Sequence, residues 1–175
     1  IVGFGGIGKC ISERLSGFGM KIDVVSEELP ALTGEINSFF SSDLMNKISK
    51  NYDVIVSAAP LTYKTKKIFD YKFFKSMKKD SIFVNVSRGA LVDTKALSKK
   101  TIYKKLLGIG LDVTDPEPLP KNHFLKKLPN VVITNHSAGL SDKNRSRSYD
   151  LMYENLFRFY NNLILLNKVD KVEGY

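Results

Sequence analysis

The chain has 175 residues, 43% of them hydrophobic, enough for one domain of ordinary size with a sizeable core. It carries a net charge of +9, and no apolar run approaches the roughly 20 residues of a membrane span. Its single cysteine, Cys10, excludes an internal disulfide and fits a cytoplasmic location. The lysines occur in short pairs, such as Lys66-Lys67, Lys78-Lys79, Lys99-Lys100, Lys104-Lys105 and Lys126-Lys127, without an aromatic-interleaved stripe. That pattern reads as a solvated basic surface that attracts anionic ligands, with no specific nucleic-acid partner.

The first eight residues, Ile1-Val2-Gly3-Phe4-Gly5-Gly6-Ile7-Gly8, read as a strand end turning through glycines into a helix. Gly3, Gly5 and Gly8 match the G-x-G-x-x-G spacing of a dinucleotide-binding turn. Gly3 permits the tight turn, Gly5 lets a pyrophosphate approach the backbone, and Gly8 lets helix and strand pack closely. The unpaired N–H groups at the helix start then face the phosphates. A glycine-rich turn can also be only a turn. The first residue already lies inside the strand, so the natural chain is expected to begin earlier.

Residues 20–25 predict the second strand, whose end should present a carboxylate to the adenosine ribose. Ser26 stands there, followed by Glu27 and Glu28, which leaves NAD and NADP both open. Residues 27–40 contain Pro30, Thr33 and Gly34 and predict a loop with a short strand near 36–39. A helix over 43–49 and a buried strand over 52–57 follow. The small residues Ala58-Ala59-Pro60 at its end permit close approach of a ligand or form an ordinary loop. A helix over 70–77 places Phe73, Phe74 and Met77 on a core face. The remaining strands fall at 81–86, 106–111 and 131–134, with helices over 93–100 and 142–160. Leu151, Met152, Leu156 and Phe159 form the apolar stripe of the last helix.

Apolar strands alternating with helices predict an α/β fold: a Rossmann-type, doubly wound, mostly parallel sheet with helices on both faces. Ligands then lie at the carboxyl ends of the strands, where Ser26, Arg88, Asp112 and His136 all fall. His123 sits in a Lys/Asn-rich loop and reads as a surface residue. With His136 it forms no persuasive metal set, so no metal is expected.

Five landmarks then accumulate in order. They are the opening glycines, Ala59-Pro60-Leu61-Thr62, Asn85-Val86-Ser87-Arg88-Gly89-Ala90-Leu91-Val92-Asp93, the stretch from Gly110 through Asp112 and Glu117 to Pro120, and the stretch from Pro129 through His136 to Gly139. Over nearly its whole length the chain resembles the nucleotide-binding domain of the D-isomer-specific 2-hydroxyacid dehydrogenases. The resemblance implies a catalytic group of Arg88, Glu117 and His136. It implies pyrophosphate contacts from Gly6 and Ile7, and ribose contacts near Ala59 and Pro60. It places Asp112 at the nicotinamide amide, with Ser87, Arg88 and His136 bordering the cofactor.

The chemistry suits those residue types. Reducing a 2-oxo acid adds hydride to C2 and a proton to the carbonyl oxygen, which His136 can donate as imidazolium. Glu117 would orient the ring, favour its charged form and raise its pKa, and Arg88 would grip the substrate carboxylate through a planar donor fork. Glu117 could instead be a rigid loop acid, and Arg88 a structural ion-pair residue. Two departures from the family pattern stand out: Ser26 replaces the common aspartate, and Asn135 replaces the usual proline before the histidine.

The resemblance further implies that residues 1–175 are the dinucleotide-binding part of a longer protein whose flavodoxin-like substrate domain is absent. It implies a homodimer acting on a small 2-hydroxy or 2-oxo acid, with glyoxylate, hydroxypyruvate and 3-phosphoglycerate in range. A dinucleotide-sensing interaction protein, like the family's co-repressor branch, is the alternative.

Overall fold

A computed structural model of the chain describes residues 1–27 and 36–172. Two compact units follow one another, Ile1–His136 and Ser137–Tyr175. Pro30, Thr33, Gly34 and Glu28, part of the expected loop, lie outside the described residues.

The first unit is built on a parallel sheet. Strands β1 (Asp23–Val25) and β2 (Ser38–Phe40) pair with each other, and β3 (Val54–Ser57), β4 (Ile82–Asn85), β5 (Gly108–Leu111) and β6 (Val131–Ile133) pair in that order. Val2 joins the two sets by bridging in parallel to Val25 on one side and Ser57 on the other. Its N–H donates to Val56 O at 2.8 Å, and its carbonyl accepts from Ala58 N–H at 2.7 Å. Strand order therefore runs β2, β1, Val2, β3, β4, β5, β6, and reverses direction about Val2. In such a sheet the crevice beside the reversal is where a dinucleotide lies.

Alternation along the strands sends side chains to both faces. Val24 and Phe4 join a smaller cluster with Ile22, packed by Leu15 of helix α1 (Gly6–Ser16). Val25, next to Val24, joins the larger core on the other face, and so does Val2, which the positive-φ turn at Gly3 separates from Phe4. That core is covered by helices α2 (Met45–Ile48), α3 (Tyr71–Ser76), α4 (Thr94–Leu97) and α5 (Lys100–Tyr103). At its centre Phe69, Phe73, Phe74 and Phe83 are fully buried and meet edge to face, with ring centroids 4.9–5.4 Å apart in the four closest pairs. Edge-to-face contact matches the positive ring edge to the negative face and adds to the gain from burial. Phe73, Phe74 and Met77 are core, as the helical spacing predicts.

Several boundaries differ from the sequence expectation for local reasons. Tyr52 closes a 3-10 turn, and its hydroxyl donates to Asp23 rather than continuing β3. Leu106 N–H bonds back to Ile102 O and so belongs to the helix end, not to β5. The single helix expected over 93–100 is two: the chain passes through extended Lys99 between α4 and α5. Leu97 and Ile102 lie about 140° apart on a continuous helix, and the break lets both be fully buried.

The second unit carries helix α6 (Asn144–Tyr160), within the span expected for it. Met152, Leu156 and Phe159 of its apolar stripe are exposed. Among the described residues no helix is long and apolar enough to cross a membrane.

Phe83 anchors the aromatic cluster to β4. Phe83→Ala is expected to lower unfolding free energy by about 3–5 kcal/mol, with an unchanged denaturant slope in urea titrations.

Candidate active site

Gly3 leaves its strand at φ +90°, a conformation that disfavours any side chain. A Cβ there would lie 2.5 Å from Ala59 N and Cα, and one at Gly8 would lie 2.3 Å from Gly3 O. Both glycines are therefore required by packing alone. Gly5 and Gly6 differ, because a Cβ on either meets nothing within 4 Å. Gly5 is the N-cap of α1 and offers no side-chain cap, so the first-turn N–H groups of the helix open onto this space. Ile7 is also exposed there. An anionic pyrophosphate fits such a cradle, which combines unpaired donors, the positive helix end and no intruding Cβ.

Around the cradle, Ala59 is buried against Gly3, and Pro60 carries the turn formed by Thr62 and Thr65. Ser26 follows β1 half-buried, its N–H bonded to Phe40 O at 3.2 Å. Glu27 beside it is exposed.

The other candidates hang from one row of the sheet. Ser57, Asn85, Leu111 and Ile133 are successive partners across β3 to β6. Just beyond that row come Ser87 and Arg88 after β4, Asp112 after β5, and His136 after β6. Asp112 is buried and accepts from the Thr134 hydroxyl, while its carbonyl accepts His136 N–H at 2.8 Å. That bond holds His136 at φ +52°, a left-handed conformation uncommon outside glycine but adopted by histidine more readily than by branched residues.

His136 Nδ1 meets Glu117 Oε1 at 2.7 Å. The other Glu117 oxygen accepts Thr114 N–H at 3.2 Å. The His136 bond first, then the Thr114 bond, hold the Glu117 carboxyl below its usual pKa. An ionised carboxylate can only accept, so Nδ1 carries the shared proton and Nε2 is the ring nitrogen left for other partners. Their side chains are 48% and 40% exposed, a setting in which an ion pair adds little to stability. Orienting the imidazole is the larger effect.

Arg88 is exposed and donates from Nη1 to Ser87 O at 2.7 Å. The next residue, Gly89, is buried so tightly that a Cβ would fall 2.0 Å from Thr114 C and O. The Arg88 loop and the Glu117 loop thus interlock through backbone contact.

His123 takes no part. It is half-buried and caps the 3-10 turn Phe124–Lys127 by accepting Leu125 N–H at Nδ1. Among the described residues no group of three His, Cys, Asp or Glu is placed to hold a metal. Asn85 and Thr134 escaped the sequence reading, although an amide ending an apolar strand is itself a signal of a buried hydrogen-bonded group.

Fold and glycine turn together define a dinucleotide-binding domain of the doubly wound class. The chain belongs to the D-isomer specific 2-hydroxyacid dehydrogenase family, and residues 1–138 match that family's NAD binding domain. It is 36% identical over 174 residues to a glyoxylate reductase of Korarchaeum cryptofilum, covering 98% of this chain and 51% of that protein. It is 35% identical over 158 residues to the human glyoxylate reductase/hydroxypyruvate reductase, covering 89% and 48%. A D-isomer specific 2-hydroxyacid dehydrogenase from Xanthobacter autotrophicus Py2, solved with NADPH and MES, superposes with a TM-score of 0.89 at 26% identity over 99% of this chain and 71% of that one. The chain spans about half the length of the curated relatives it matches.

Because the His136 bond favours the charged carboxylate, the coupling is present above the ordinary carboxylate range. It is lost as pH falls through the lowered Glu117 midpoint. Carbon-13 NMR should find that midpoint below the usual glutamate value, and His136→Ala should move it upward. Gly89→Ala is expected to cost about 1–3 kcal/mol of stability by overpacking, read from thermal unfolding.

Proposed function

We propose that residues 1–175 form the dinucleotide-binding part of an NAD(P)-dependent oxidoreductase acting on a small 2-hydroxy or 2-oxo acid. The pairing of His136 with Glu117 carries the reading. It sits on the sheet edge that also bears the glycine cradle, within a chain of this family. Glyoxylate reductases recur among the relatives, and one solved neighbour is a phosphoglycerate dehydrogenase, so small anionic 2-oxo acids are the natural class.

The bound dinucleotide supplies or accepts a hydride at C2. Gly5, Gly6 and Ile7 would receive its pyrophosphate, Ser26 its adenosine ribose, and Ala59 and Pro60 its nicotinamide ribose. Asp112, held by Thr134, would accept from the carboxamide, beside the backbone of Ser87 and Arg88 and the ring of His136. One of Arg88's five N–H donors is committed to Ser87 O, and the outward donors would grip the substrate carboxylate. His136, its Nδ1 fixed by Glu117, would give a proton from Nε2 to the carbonyl oxygen during reduction and recover it during oxidation. The +9 charge of the chain favours approach of anionic substrates.

The remaining half of the protein would be a flavodoxin-like substrate domain, and the working assembly a cytoplasmic homodimer. Exposed, unpaired Cys10 is compatible with a reducing compartment.

The test is oxidation of NADH and NADPH by the full-length protein with glyoxylate and hydroxypyruvate, and the reverse reaction with 3-phosphoglycerate. Turnover with one of them is expected. Dinucleotide binding without turnover would favour a sensing protein on the same scaffold. Residues 1–175 alone should bind dinucleotide and turn over little. His136→Ala should lower kcat by about 10²–10⁴-fold with NADH affinity nearly unchanged; near-normal turnover would remove it from proton transfer. Gly5→Ala should leave the fold within about 1 kcal/mol of wild type and still weaken dinucleotide binding at least tenfold, roughly the cost of crowding the phosphates.

A further inference from the structure

Three polar side chains are buried where a parallel strand would normally end in apolar ones. Ser57 and Asn85 are fully buried, and Ser87 is 6% exposed. Burying such groups is costly unless every one is bonded, and a satisfied network adds little net stability over apolar packing. Their arrangement is directional. Ser87 Oγ donates to Asn85 Oδ1 at 2.8 Å, and Ser87 N–H donates to the same oxygen at 3.1 Å. The single Ser87 hydroxyl proton is thereby used, so the 2.8 Å contact between Ser57 Oγ and Ser87 Oγ must be donated by Ser57. Asn85 Nδ2 then donates to Arg88 O at 2.9 Å. The series starts on β3 and ends on the main chain of Arg88.

We propose that Ser57, Ser87 and Asn85 are positioning residues that set Arg88 for its carboxylate ligand. The proposal rests on the reading of Arg88 given above. Its geometry accounts for both sides of the loop. Asn85 holds the Arg88 carbonyl, Arg88 Nη1 returns to Ser87 O, and Gly89 is locked against Thr114. Ser57 also pairs with Val2 and precedes Ala58 and Ala59, the residues on which Gly3 packs. The arginine is therefore referenced to the same strand end that supports the dinucleotide turn. Small displacements of a positioning group have large effects on productive geometry.

The experiment compares Ser57→Ala, Ser57→Ala/Ser87→Ala, Arg88→Ala and Ser57→Ala/Arg88→Ala in the full-length protein. Readouts are the thermal midpoint, NADH affinity by fluorescence, oxalate affinity of the NADH-saturated protein by calorimetry, and the KM and kcat for glyoxylate. Ser57→Ala is expected to weaken oxalate binding and raise KM about tenfold, leaving NADH affinity within about twofold and kcat less affected than KM. In the Arg88→Ala background the Ser57 change should add nothing, the signature of action through that side chain. The Ser57→Ala/Ser87→Ala variant removes both partners of one bond. It should keep a near-normal thermal midpoint and still weaken oxalate binding, which separates positioning from folding. Unchanged oxalate affinity in both serine variants would overturn the proposal, as would an equal Ser57 effect with and without Arg88. If Arg88→Ala itself leaves oxalate affinity and KM unchanged, the reading of Arg88 fails first and takes the relay with it.

Discussion

The close approach of Gly3 to Ala59 is the constraint on which the rest of the molecule depends. Val2 belongs to two strand pairs at once, and the chain must leave the sheet immediately after it. Only a residue without a Cβ can turn at φ +90° against the Ala59 backbone. That turn starts α1 at the edge of the sheet and sets its N–H groups facing outward. It also divides the strands, sending β1 and β2 to one side and β3 to β6 to the other. The crevice for a dinucleotide is a consequence of that division.

Much of this was legible from residues alone. The glycine spacing, the apolar strands and the ordered landmarks led to the fold and to its family. The core face of α3 followed from its spacing because Phe73, Phe74 and Met77 have nowhere else to go. What escaped was decided by contacts distant in the chain. The break between α4 and α5 serves the burial of two side chains against strands that periodicity does not see. The left-handed His136 depends on Asp112, more than twenty residues earlier. Asn135, noted only as a missing proline, precedes that turn. Ser57 and Ser87 looked like a strand end and a cofactor-side loop. Their bond becomes visible only when β3 and β4 are in register.

Electrostatics in the site is local rather than bulk. The Glu117 carboxyl is held ionised by two short-range donors, His136 and Thr114, with the ring bond the larger. Asp112, nearby and negative, opposes that ionisation and is itself bonded by Thr134. The Glu117 carboxylate therefore orients the His136 ring, while the backbone carbonyl of Asp112 fixes the histidine main chain. The basic surface contributes a diffuse field, while orientation comes from bonds of about three ångströms.

All the groups of interest hang from the strand ends, and the strand beginnings carry none of them. There the chain holds itself with simple devices: the Lys78–Asp53 ion pair, Lys105 Nζ on Lys75 O, and Asp80 N–H on Lys105 O. A change of length or charge in those connections alters no spacing on the opposite rim, since the strands between them are pinned in register. One rim can thus take changes of length and charge while the register of the strands holds the spacing of the other. The same asymmetry makes the strand-beginning rim the place to graft an insertion or a reporter.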